Sequence, residues 1–176
     1  MTGIKAHVED GGNADWFVVS ARLEGQAGDR DGIGLFLLPK GAQGLQISRY
    51  RAVDGHVHAR LDLRSTPAVK LTQTDSTIES IEAAIDRAIC AQLAEATGSM
   101  EAASSATVDY LKTREQFGVK IGTFQALRHR AVDMTIACEE ARAITWHATL
   151  QLNDEPRARK IAASAGKVRV SQSGLY

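Results

Sequence analysis

The chain has 176 residues, with 21 Lys and Arg against 21 Asp and Glu, so its formal net charge is zero. That balance argues against a nucleic-acid binder, which carries a basic excess. The length allows one domain or two small ones with a real core. No stretch reads as a charged, apolar secretory leader and none reaches bilayer length, so the expected location is cytoplasmic, with no membrane span. Cys90 and Cys138 sit far apart in helical patterns and read as buried thiols of a reducing compartment.

The first half reads as strands and turns. Trp16–Ala21 and Ile33–Leu38 are short, apolar, β-rich runs, joined by the glycine-studded polar connection Glu24–Gly32. Val57, Ala59, Leu61 and Leu63 then alternate with His58, Arg60, Asp62 and Arg64, the period of a half-buried antiparallel strand. After Pro67 the period changes. Ser76-Thr-Ile-Glu79 has the form of a capping box. From there Ile78, Ile81, Ile85, Ile89, Leu93, Ala96, Met100 and Ala103 recur at three and four residues, and the helix is expected to run to Gly118. Phe124, Leu127, Ala131, Met134, Cys138, Ala141, Thr145, Ala148 and Leu152 mark a second helix. Its small residues favour close antiparallel packing in a bundle. Asp154 and Pro156 open a third helix, expected to be still running at Tyr176. Both ends of the chain look like cuts through a larger protein.

The most informative stretch is Tyr110-Leu-Lys-Thr-Arg-Glu-Gln-Phe-Gly118, followed by Ile121-Gly-Thr-Phe-Gln125 and His129-Arg-Ala-Val-Asp-Met134. It predicts a long helix, a tight polar corner and a second long helix. Arg114 and Gln125 bracket that corner. Arg114 is a permanently charged fork suited to a phosphate or pyrophosphate. Gln125 offers one acceptor and two donors in the first turn of the next helix.

This run resembles the signature of the acyl-CoA dehydrogenase family, flavoproteins that desaturate acyl thioesters, and the similarity extends over the whole chain. The fold it implies is α+β. Residues 1–72 would be the later part of the family's middle antiparallel β-domain. Residues 75–176 would be the first long antiparallel helices of its C-terminal four-helix bundle, left incomplete. Asn13–Arg22 and Gly32–Pro39 resemble consecutive strands of that β-domain.

In the family, the residues matching Arg114 and Gln125 reach the diphosphate and adenosine end of a neighbouring subunit's FAD, with the residue matching Phe117 packing nearby. The resemblance therefore implies FAD as cofactor, an acyl-CoA substrate and an identical or homologous subunit sharing the flavin site. An electron-transfer flavoprotein is the implied electron acceptor. The implied chemistry is removal of an α-proton by a carboxylate, with transfer of a β-hydride to the flavin.

The substrate end departs from the family pattern. Asp86 matches the first position of an Asp-x-x-Arg motif that meets the acyl-CoA, but the arginine position is Ile89. A base used by a minority of members would fall at Ala88, and the tryptophan pattern that contacts the flavin ring is replaced by His7-Val-Glu9. No catalytic residue is therefore assigned within the chain. The leading expectation is a fragment of an FAD-dependent acyl-CoA dehydrogenase, inactive alone. The alternative is a non-catalytic partner subunit of a heteromeric one.

Plainer readings stand beside these. Arg114 and Gln125 would cap helix ends, Phe117 would be core, and Asp86 would face solvent. His56 and His58 stand two apart, without a third metal ligand, and read as a solvated strand face. Arg128, His129 and Arg130 read as salt-bridged helix surface. Glu139 and Glu140 are adjacent on a helix and cannot face one another as an acid/base pair. The glycines between Gly25 and Gly34 form no strand–GxGxxG–helix unit.

Overall fold

The computed structural model describes residues 1–71 and 77–175. Two compact units divide the chain, Met1–Ser80 and Ile81–Tyr176.

Among its described residues the first unit holds six strands: β1 (Gly3–Glu9), β2 (Trp16–Arg22), β3 (Ile33–Pro39), β4 (Leu45–Arg51), β5 (Val57–Leu63) and β6 (Val69–Lys70). They form two antiparallel sheets, ordered β1-β5-β4 and β2-β3-β6. Alternation decides which residues face inward. Phe17 and Val19 of β2, Leu38 of β3 and Ala59, Leu61 and Leu63 of β5 make one buried cluster, while Arg60 between them is exposed. The expected half-buried strand is therefore β5, in the expected phase. Trp16 pairs with Pro39 and Arg22 with Ile33, so Leu23–Gly32 connects the strands, one residue longer than the expected Glu24–Gly32.

Strand β1 slips register between Lys5 and Val8. Inside this bulge His7 adopts a φ of 51°. Its Nδ1 lies 2.7 Å from the Tyr50 hydroxyl, and the Tyr50 ring stacks on His58 at 5.7 Å. His56 lies instead beside Glu9, at 3.9 Å. The two histidines thus have different neighbours, although their spacing predicts a common face.

The second unit is built from α1 (Thr77–Thr113), whose first turn falls in the first unit, α2 (Gln125–Leu150) and α3 (Pro156–Ser173). The capping box expected at the start of α1 begins with Ser76, outside the described residues. Two expected helix ends move. α1 stops at Thr113, short of Gly118, because residues 115–120 pair as a small hairpin. α3 stops at Ser173 before Tyr176; Gly174 and Leu175 turn their N–H groups back to the Val170 and Gln172 carbonyls. The N-cap of α3 is Glu155, and Pro156 opens the helix, where its missing N–H is not needed.

The three helices share a core of Cys90, Leu93, Ala141, Ala148, Ala162 and Val170. On α2 the buried positions Cys138, Ala141, Thr145 and Ala148 are those its period predicts. On α1 the buried stripe is Asp86, Cys90, Leu93, Thr97 and Ser104, while Ile85 is 51% exposed. The stripe is rotated by about one residue from the isoleucine ladder, because it accommodates polar groups that find partners in the bundle. Thr97 and Thr145 share a hydrogen bond of 3.1 Å, and Arg142 of α2 grips Glu101 of α1 at 2.8 Å. Among the described residues no helix is long and apolar enough to cross a membrane.

Gly166 sets the approach of α3 to its neighbours. A methyl there would lie 2.5 Å from Leu93 Cδ1 and 3.5 Å from Ala148 Cβ. Gly166→Ala is expected to cost about 1–3 kcal/mol, the range for overpacking, and Leu93→Ala about 2–5 kcal/mol. Together they should cost less than their sum, because the shortened side chain clears room for the new methyl. Urea unfolding of the single and double variants measures this, and strict additivity would contradict the packing described.

Candidate functional site

The corner between α1 and α2 is built by backbone hydrogen bonds. Arg114 donates its N–H to the Tyr110 carbonyl at 2.9 Å, the last helical bond of α1. Its own carbonyl accepts the Ile121 N–H at 2.9 Å. Between them β7 (Glu115–Gln116) pairs with β8 (Val119–Lys120), Glu115 opposite Lys120 and Gln116 opposite Val119. Phe117 and Gly118 turn the hairpin with φ of 55° and 77°. Two successive left-handed residues match the strand twist of a two-residue hairpin. Gly118 adopts that conformation freely, whereas Phe117 carries a penalty of about 1–2 kcal/mol. A 3-10 turn, Ile121–Thr123, then leads through Phe124 into Gln125, the first residue of α2.

The corner brings Arg114, Phe117 and Gln125 to one end of the bundle, where α1 stops and α2 starts. Arg114 and Gln125 are exposed. Neither side chain has a hydrogen-bond or ion-pair partner among the described residues, so the capping alternative for both is not what forms. The N-cap of α2 is Phe124, with no side-chain bond. Phe117 is 92% exposed, which removes the core alternative; its ring meets Phe124 edge-on at 6.2 Å. The corner thus offers an unpaired guanidinium, an outward aromatic ring and a free carboxamide beside the positive end of a helix. Such a donor set fits a nucleotide diphosphate with an adjoining flat base.

Asp86 lies elsewhere and does not face solvent. It is 5% exposed, and its Oδ2 accepts a hydrogen bond from Arg159 Nε of α3 at 2.8 Å. Lys160 reaches Glu82 at 3.1 Å one turn earlier on α1. Ile89, where the family pattern has arginine, packs against the apolar core. Burial, and then the Asp86 carboxylate, push the Cys90 thiol above its ordinary range, so Cys90 stays protonated and unreactive. Sequence reasoning missed Arg159. Its signal is a seven-residue repeat shared by two helices: Asp86, Leu93 and Met100 on α1 run beside Arg159, Gly166 and Ser173–Gly174 on α3.

The outlying charges behave as helix surface. Glu139 pairs with Arg142 at 2.6 Å within α2, and Glu140 bonds Arg169 of α3. Arg128 instead donates to the Thr123 carbonyl at 2.9 Å, bracing the corner.

Residues 78–175 match the model of the acyl-CoA dehydrogenase C-terminal domain, and the chain belongs to the acyl-CoA dehydrogenase family. It is similar to the short-chain specific acyl-CoA dehydrogenase of Clostridium acetobutylicum, at 30% identity over 162 residues, 84% of this chain and 40% of that protein. A shorter likeness, 44% over 93 residues, covers 51% of this chain and 29% of acyl-CoA dehydrogenase IpdE2 of Mycobacterium tuberculosis. Among solved structures, a variant of the Tcur3481-Tcur3483 steroid ACAD is similar at 31% identity with a TM-score of 0.70, over 98% of this chain and 46% of that one. The chain spans less than half the length of the curated relatives it matches.

Removing one partner from a buried ion pair strands the other charge, at about 3–5 kcal/mol. Asp86→Ala is therefore expected to destabilise the chain by that amount in urea unfolding. A cost near zero would mean that the Asp86–Arg159 pair is not buried as described.

Proposed function

We propose that this chain is part of an FAD-dependent acyl-CoA dehydrogenase that desaturates an acyl-CoA thioester at its α,β bond. Within it, Arg114, Phe117 and Gln125 hold the diphosphate and adenosine end of an FAD shared with a neighbouring subunit. The observation that carries the reading is the corner itself, where three outward side chains of complementary chemistry remain unpaired. FAD supplies the two-electron oxidation when bound. Arg114 neutralises diphosphate charge, Gln125 fixes orientation through donors and an acceptor, and Phe117 presents a flat apolar face to the adenine. In this reading residues 1–72 are part of the family's middle β-domain and residues 75–176 part of its C-terminal bundle. Asp86 takes part at the substrate end. The 176 residues alone turn over poorly or not at all, and the holoenzyme works in the cytoplasm, passing electrons to an electron-transfer flavoprotein.

A second reading, a non-catalytic partner subunit of a heteromeric enzyme, is favoured by Ile89 and Ala88 at the family's substrate positions. The similar steroid ACAD is itself designated by two components, Tcur3481 and Tcur3483. Co-expression with a homologous subunit separates the readings. Activity confined to the mixture supports the partner role, and activity of the homomeric assembly removes it.

The test of the leading reading is the flavin content of the natively purified assembly containing this chain. Arg114→Gln removes one charge-assisted contact, worth about 1.5–3 kcal/mol, so FAD affinity should fall by about tenfold to a hundredfold. An assembly without flavin, or an Arg114→Gln variant with unchanged FAD affinity, would count decisively against it. Phe117→Asn is expected to separate stability from binding. Asparagine tolerates the left-handed turn, so the chain should gain up to about 1 kcal/mol in urea unfolding while FAD affinity drops. Loss of both stability and affinity would contradict the strain assigned to Phe117.

A further inference from the structure

We propose that the groove between the last turns of α1 and the first turns of α2 binds an unesterified fatty acid, with its carboxylate on Arg128 and its chain between the two helices. The site uses none of Arg114, Phe117 and Gln125, and the inference does not rest on the proposed function.

The groove is a cavity of about 380 Å³, within the size range of small-ligand sites. Val108 and Leu111 of α1 line it from one side, Ala131 and Val132 of α2 from the other. Gly122 also lines it, and a methyl there would lie 2.7 Å from the Leu111 carbonyl oxygen, so the 3-10 turn sits backbone against α1. The apolar walls are left open to water. Val108, Leu111 and Ala131 are half-buried, and Val132 is 55% exposed. A flexible aliphatic chain laid along them removes that surface from water.

Charge selects the head group. Among the described residues that line the groove, the charged ones are Lys112 and Arg128. Lys112 lies 3.7 Å from Asp109, which offsets its charge. Arg128 spends one donor on the Thr123 carbonyl at 2.9 Å and makes no ion pair among the described residues. It stands three residues after Gln125, near the positive end of α2, whose first turn holds no acidic residue. A cation at that end is unfavourable unless an anion joins it. One uncompensated cation calls for one negative charge. A carboxylate supplies it and fits the guanidinium fork, whereas a phosphate monoester brings closer to two. A small polar anion would satisfy Arg128 and leave the walls bare.

The experiment titrates octanoate calorimetrically into the natively purified assembly containing this chain, while flavin absorbance is followed. Wild type is expected to bind octanoate and keep its FAD. Octanol, which lacks the charge, should bind at least about tenfold more weakly, and hexanoate, two methylenes shorter, about tenfold more weakly. Thr135 is an exposed residue of the groove, so Thr135→Phe should fill it, lower octanoate affinity at least about tenfold and leave the urea midpoint in place. Should that variant fail to fold, Val132→Glu sets an anion on the open wall. It should weaken octanoate by a similar factor and admit octyltrimethylammonium instead.

No octanoate binding by wild type, the result if a neighbouring subunit already covers the groove, overturns the assignment. Octanoate affinity unchanged in a folded variant puts the ligand elsewhere and overturns it too. Release of FAD by octanoate would make the groove part of the flavin corner and reject a separate site. An assembly without flavin that still binds octanoate in this manner keeps the site while removing the proposed function.

Discussion

One backbone hydrogen bond, from the Ile121 N–H to the Arg114 carbonyl, fixes the geometry on which the functional account depends. It closes the chain between two long helices whose directions are already set by the bundle. With that bond in place, the last residue of one helix and the first residue of the next cannot drift apart, and side chains eleven positions apart act at one end. The hairpin inside the loop then has only one short way to turn. It places a phenylalanine where glycine or asparagine would be more comfortable, and leaves its ring in water. Conformational penalties at exposed aromatic residues are kept only where something offsets them. A planar ligand partner is the reason we propose for its persistence.

The bundle supplies the rigidity the corner needs. Its core mixes alanines with Cys90, Leu93 and Val170, and at the closest approach the Leu93 side chain packs directly against Gly166. The large aliphatic residues do less than their spacing implies. Polar pairs sit at intervals along the interior instead: Asp86 with Arg159, Thr97 with Thr145 and, at the edge, Glu101 with Arg142. Such pairs contribute little net stability, but each penalises sliding by one residue, because a slipped register would bury an uncompensated charge or hydroxyl. Register in turn decides where α1 ends relative to α2.

Much of this was legible in the sequence. The alternation in Val57–Leu63 gave both the strand and its inward face, and the small-residue seam of α2 gave the helix and most of its buried positions. The corner was legible as a motif because residue types and spacing agree over a long run. Three things were not. The helix stop at Thr113 was hidden because Gly118 reads equally as a helix terminator and as the second residue of a hairpin turn. The buried stripe of α1 was misplaced because isoleucines outweigh an aspartate in any count of apolar periodicity. That aspartate is buried only because an arginine 73 positions away reaches it. Long-range pairing of that kind leaves no local trace beyond the shared seven-residue repeat. The two histidines part because His56 lies just before β5, where the alternation that places His58 no longer applies.

The central claim is that the Arg114, Phe117 and Gln125 corner grips the adenosine diphosphate portion of the flavin and leaves its ring system to other parts of the enzyme. Competition against bound FAD, with ADP and FMN as rivals, tests it most directly. ADP carries the portion the corner is built for and should displace FAD from the wild-type assembly, while FMN should compete far more weakly. With Arg114→Gln the advantage of ADP over FMN should shrink by the same factor as FAD affinity. An ADP advantage untouched by that substitution would place the grip on the nucleotide elsewhere in the protein.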